Sequence, residues 1–92
     1  MKKIRVLVYI SGRVQGVGYR YSTHNKAQSL GISGWVRNTH DDRVEAIFEG
    51  DENAIEEMLK WCQKGPSMAF VTNVEIFKQT YSGEFHGFTI ES

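Results

Sequence analysis

The residues best suited to chemistry lie in one stretch of nine, Gly12-Arg13-Val14-Gln15-Gly16-Val17-Gly18-Tyr19-Arg20. Glycines at 12, 16 and 18 let the backbone curl until successive N–H groups converge on one point. Arg20 closes the stretch with a planar fork of donors matched to two phosphate oxygens. A helix starting here would add its unpaired first-turn N–H groups and the positive end of its dipole, so the chemistry on offer is binding of a dianionic phosphoryl group. The spacing fits neither common nucleotide pattern: no Lys followed by Ser or Thr closes it, and a third pattern glycine and an acidic ribose partner are missing. Spacing alone therefore admits a flexible turn carrying a solvated first-turn arginine equally well.

Asn38 is the second candidate. Read alone it is a turn residue ahead of Thr39 and His40. Its side-chain amide offers an acceptor and a donor, and so can hold a water opposite a bound phosphoryl group without being a strong base. Other candidates carry less. His24, His40 and His86 have no ligand spacing, and the acidic cluster of a metal-dependent phosphatase is lacking, so no metal or other cofactor is expected. Asp41 and Asp42 fall in a turn, which favours turn chemistry over acid–base work. Cys62 reads as helix packing and Trp61 as a partly exposed helix residue, while Tyr19 and Tyr21 are expected to anchor the glycine loop against the core.

The elements that must position these residues follow from periodicity. Ile4 to Ile10 alternates, with Ile4, Val6, Val8 and Ile10 on one side, as a strand with one buried face does. After the Gly12–Arg20 loop, Thr23, Ala27 and Leu30 fall at helical spacing within Tyr21 to Leu30, and Gly31 supplies a stop. Trp35 to Thr39 and Arg43 to Glu49 form a hairpin across His40-Asp41-Asp42. Asp51 stands at an N-cap position, Ile55, Met58, Leu59 and Cys62 recur at i, i+3, i+4 and i+7, and Lys64-Gly65-Pro66 ends this second helix. Phe70 to Phe77 is a further strand, and Phe85 to Ile90 adds a short last one. The order is βαββαβ, an α+β sandwich with an antiparallel sheet and two helices on one face. A crossover helix makes the first two strands parallel, so their C-terminal ends, and with them the glycine loop and Asn38, meet at one edge of the sheet.

Composition bounds the rest. Ninety-two residues, 40% hydrophobic and 24% charged, make a single domain over 1–92 with one core. The lone cysteine excludes an intramolecular disulfide and a cysteine-based metal site. The basic opening resembles a signal peptide, but Arg5 interrupts it and no cleavage pattern follows. No segment is long enough to span a membrane, and a cytoplasmic protein is expected. The formal net charge is zero. Met1 to Arg43 carries eight basic and two acidic residues, and Val44 onward three basic and nine acidic, so an anion would meet the first half unless folding interleaves the two.

With the loop, Gly34-Trp-Val-Arg-Asn38-Thr39 and Gly65-Pro66 in their observed order, the sequence closely resembles the acylphosphatase family over nearly its whole length. That resemblance implies a ferredoxin-like sandwich and metal-independent hydrolysis of the carboxyl–phosphate bond of small acyl phosphates. It further implies that the backbone from Gln15 through Gly16, Val17, Gly18 and Tyr19 to Arg20 cradles the phosphoryl group, that Arg20 binds it and that Asn38 orients the attacking water. Inorganic phosphate and other small anions are expected as product-like ligands. Two departures stand out: Asp41-Asp42-Arg43 replaces the usual Asp-Gly of the hairpin, and Phe70 stands where an arginine is common.

Two other readings compete. An RNA-binding module can share this element order, but the face away from the helices would carry Leu7, Tyr9, Glu45, Ile47 and Glu49, a poor platform for bases. A non-catalytic small-anion module would differ only in the role of Asn38. The expectation is a free-standing, monomeric enzyme that binds neither nucleic acid nor membrane.

Overall fold

The alternation read in the first strand sets the sheet. In the computed structural model, which describes residues 2–92, Val6, Val8 and Ile10 are buried on one face of β1 (Lys3–Arg13). The chain continues through α1 (Tyr19–Ser29), β2 (Ser33–Asn38), β3 (Val44–Asp51), α2 (Glu52–Lys64), β4 (Phe70–Gln79) and β5 (Phe88–Ile90). Strand order is β4-β1-β3-β2-β5. Val6, Val8 and Ile10 oppose Phe48, Ala46 and Val44, and this face packs against Ala27 of α1 and Ile55, Met58 and Cys62 of α2. Each of the buried Val, Ile, Phe and Met side chains among these contributes about 1.5–3 kcal/mol by leaving water.

Because β1 and β2 both run antiparallel to β3, they are parallel to each other, and their C-terminal ends do share one edge. The last strand corrects the expectation of an antiparallel sheet. β5 pairs parallel with β2, Gly34 opposite Phe88 and Val36 opposite Ile90, so the five-stranded sheet is mixed. β4 stops beside Arg5, at the end where β2 begins. A strand laid next to β2 from there has to run in the direction of β2.

Three local features also differ. α1 starts at Tyr19, two residues before the expected helix, because Gly18, its N-cap, turns the chain in a left-handed conformation and Tyr19, Thr23 and Ala27 form the buried stripe. Arg20 thus belongs to the first helical turn. Asp51 precedes α2 as an N-cap, yet its carboxylate makes no capping bond and lies 3.7 Å from the Lys3 ammonium instead. The face away from the helices is not open either: the segment from Thr80 to Gly87 crosses it. Ser82 and Gly83 donate backbone N–H groups to the Glu49 carboxylate at 2.9 and 3.1 Å, and Phe85 stacks under the Arg5 guanidinium. Glu45 and Glu49 are buried there, bonded to Tyr9 and Arg37 and to Arg5.

Folding also interleaves the two charge blocks. Lys3, Arg5, Lys26, Arg37 and Arg43 from the first half pair with Asp51, Glu49, Glu57, Glu45 and Glu75 from the second. Among the described residues, Arg20 has no carboxylate partner.

Candidate active site

Arg20 lines a hollow of about 170 Å³ at the shared edge of β1 and β2, together with Gly16, Gly18 and Asn38. Larger hollows exist elsewhere on the surface. What sets this one apart is Asn38: its Oδ1 is the one buried side-chain oxygen or nitrogen without a hydrogen-bond partner among the described residues. Leaving such an acceptor unpaired costs about 1–3 kcal/mol, an arrangement that points to a ligand or water at the site.

The loop gets its shape from Gly16 and Gly18, at φ 75° and 79°. Space is not the constraint, since a Cβ at either would touch nothing; the left-handed backbone is. Gly18 provides no side-chain cap, which leaves the first-turn N–H groups of α1 facing the hollow's end of the helix. No acidic residue occupies that first turn, so the positive pole of the helix is not neutralised. The Arg20 guanidinium donates to the carbonyl of Glu91 at 3.3 Å, which steadies it without cancelling its charge.

Tyr19 fixes the base of this turn. Its ring is buried, its hydroxyl donates to the Cys62 carbonyl at 2.7 Å, and Trp61 packs on it with ring centroids 5.4 Å apart. Burial raises the phenol pKa and pushes the neighbouring Cys62 thiol up to about 12, so both stay protonated and inert. Gly65, after α2, lies against the same ring, where a Cβ would come within 2.7 Å of Tyr19 Cε2. The Gly-Pro motif is thereby joined to the start of α1. Tyr21 is a correction: it is no anchor, being 66% exposed, because residues two apart on a helix, like Tyr19 and Tyr21, point to nearly opposite sides.

Gln15 and Val17 stand outside the lining of the hollow. The Gln15 side-chain amide donates to the carbonyls of Thr39 and Arg43, and Val17 packs on the core. In the hairpin turn, the Thr39 hydroxyl and then the Arg43 guanidinium hold the Asp41 carboxyl below the usual range, which is turn chemistry. Sequence reasoning missed Val14, Ile90 and the Glu91 carbonyl. Strand propensity marks Ile90, but nothing local shows that β5 would lie beside β2. Among the described residues, no three His, Cys, Asp or Glu side chains come together in a metal-binding group.

A family model for acylphosphatase matches residues 6–90. The chain belongs to the acylphosphatase family. The acylphosphatase of Rubrobacter xylanophilus is 52% identical over 86 residues, covering 94% of this chain and 78% of that one. That of Pelotomaculum thermopropionicum is 47% identical over 90 residues, covering 98% of each. The crystal structure of acylphosphatase from Bacillus subtilis superposes with a TM-score of 0.93 at 32% identity, covering 97% of this chain and 99% of that one. This acylphosphatase-family chain therefore has the ferredoxin-like fold and is an enzyme whose substrate is a small acyl phosphate.

Proposed function

We propose that Arg20 and the first-turn amides of α1, with the Gln15–Arg20 backbone, bind the phosphoryl group of the substrate, and that Asn38 orients the water that attacks it. The unpartnered Asn38 Oδ1, buried in the wall of the hollow that Arg20 also lines, carries this reading. A water donating one O–H to that oxygen has its position fixed and a lone pair free for phosphorus.

The acyl–oxygen–phosphorus linkage needs little more than this. As the water oxygen bonds to phosphorus, the P–O bond to the acyl group breaks and its electron pair leaves on a carboxylate, a stable anion that needs no general acid. A loose phosphoryl-transfer transition state places charge on the equatorial oxygens, where the amides and the Arg20 fork stabilise it. The water proton passes to a phosphoryl oxygen of the substrate, and the products are carboxylate and inorganic phosphate. No protein base is used, so the pH–rate profile lacks a step from an essential histidine.

Hydrolysis of benzoyl phosphate, followed by its loss of ultraviolet absorbance, tests the assignment. Metal-free wild type is expected to hydrolyse it rapidly, and folded Arg20→Gln and Asn38→Ala to lose that activity. A folded wild type that binds phosphate without turnover would leave an anion-binding module. Inorganic phosphate is expected to inhibit as a product. We place the enzyme in the cytoplasm as a monomer; the single, buried cysteine fits a reducing compartment and offers no thiol for a disulfide between copies.

A further inference from the structure

Two apolar side chains at the mouth of the Arg20–Asn38 hollow have no role in the chemistry above. Tyr21 leaves the first turn of α1 with 66% of its surface exposed, and Ile90 projects from β5 with 42% exposed. Both line the same hollow as Arg20 and Asn38. Among the described residues Tyr21 has neither a ring partner nor a hydrogen bond, whereas the hydroxyls of Tyr9 and Tyr19 bond Glu45 and the Cys62 carbonyl. Packing does not explain why an aromatic ring stands there.

A phosphoryl group held by Arg20 places the acyl carbon one bridging oxygen away, so the acyl group lies at the rim of this hollow of about 170 Å³. Arg20 is the one charged side chain in the lining, and the phosphoryl group takes it. An acyl tail with a second negative charge finds no other cation in that lining, while an apolar tail finds a ring and a branched aliphatic chain from which to displace water. We propose that Tyr21 and Ile90 form the acyl subsite and select acyl phosphates whose acyl group is uncharged and apolar, aromatic or branched. This rests on the reading of Arg20 and Asn38 given above.

The test compares kcat/KM for benzoyl phosphate and acetyl phosphate in wild type, Tyr21→Ala, Tyr21→Phe and Ile90→Ala. Rims of this kind discriminate by about tenfold. The benzoyl-to-acetyl ratio is expected to fall about fivefold or more in Tyr21→Ala, mainly through KM, to fall in Ile90→Ala, and to stay at the wild-type level in Tyr21→Phe, which keeps the ring. Tyr21 lies outside the core, so its truncation leaves the fold intact. An unchanged ratio in both alanine variants, or equal losses on the two substrates, overturns the subsite while leaving the catalytic reading in place. A folded wild type that hydrolyses neither compound overturns both.

Discussion

The side-chain amide of Gln15 donates to the carbonyl of Thr39 at 2.9 Å and to that of Arg43 at 2.8 Å, tying the loop after β1 to the turn that follows Asn38. The loop proposed to hold phosphate and the strand end that carries Asn38 are thus set relative to one another by a residue outside the lining of the hollow. Gln15→Ala removes both donors and leaves the Thr39 carbonyl without this partner, a loss of about 1–2 kcal/mol of stability. We expect kcat to fall about tenfold with a smaller change in phosphate inhibition, because Asn38 is displaced while Arg20 stays in its helix. Steady-state kinetics with phosphate as inhibitor would show it. A weakened phosphate site with normal kcat would contradict this.

Arg20→Gln and Asn38→Ala should separate in binding even though both lose turnover. Arg20 meets the ground-state anion, so its loss weakens phosphate binding roughly 10- to 100-fold as well as the rate. Asn38 acts on the water, so its variant keeps near wild-type phosphate affinity while kcat drops about 10²- to 10³-fold. Calorimetric titration with phosphate distinguishes them. The opposite pattern would exchange the two roles.

Asp42 sits at φ 69°, the left-handed region, in the hairpin turn between β2 and β3. The backbone of the turn is thus one that glycine adopts freely and an L-residue adopts at a cost. Asp42→Gly is expected to stabilise the fold by about 0.5–1 kcal/mol, a rise in Tm of roughly 2–6 °C at this size. Thermal unfolding is the measurement, and a lower Tm would mean that the Asp42 carboxylate has a stabilising role of its own.

Glu49 makes the fold acid-sensitive. Burial pushes its carboxyl upward, but the Ser82 backbone N–H, the Ser82 hydroxyl, the Arg5 guanidinium and the Gly83 N–H outweigh that, and the net shift is downward from 4.5. A depressed folded-state pKa contributes stability above the unfolded value, and that contribution is lost as pH falls through the folded value. Stability should therefore decline as pH drops below about 4.5. Glu49→Gln should cost about 1–3 kcal/mol at pH 7 and flatten that decline. Urea unfolding of both proteins between pH 3 and 7, pH values chosen to span roughly this window, checks the sign.

What the sequence determined by itself is whatever depends on neighbours along the chain. Val6, Val8 and Ile10 marked their strand, Ile55, Met58 and Cys62 marked α2, and Gly16 and Gly18 marked the left-handed turn that leads into α1, because side-chain periodicity and backbone preference act over a few residues. Even the meeting of that turn with Asn38 was legible, since a crossover helix forces two strands parallel. Only the tertiary structure decided that β5 runs beside β2 and brings Ile90 to the site, that residues 80–87 cover Glu49, and that the Gln15 amide reaches the hairpin turn. The start of α1 belongs with these, because burial of Tyr19 under Trp61, rather than helix propensity, placed it. Each depends on contacts between segments distant along the chain, where local patterns carry no record of which edge, face or carbonyl will be the partner.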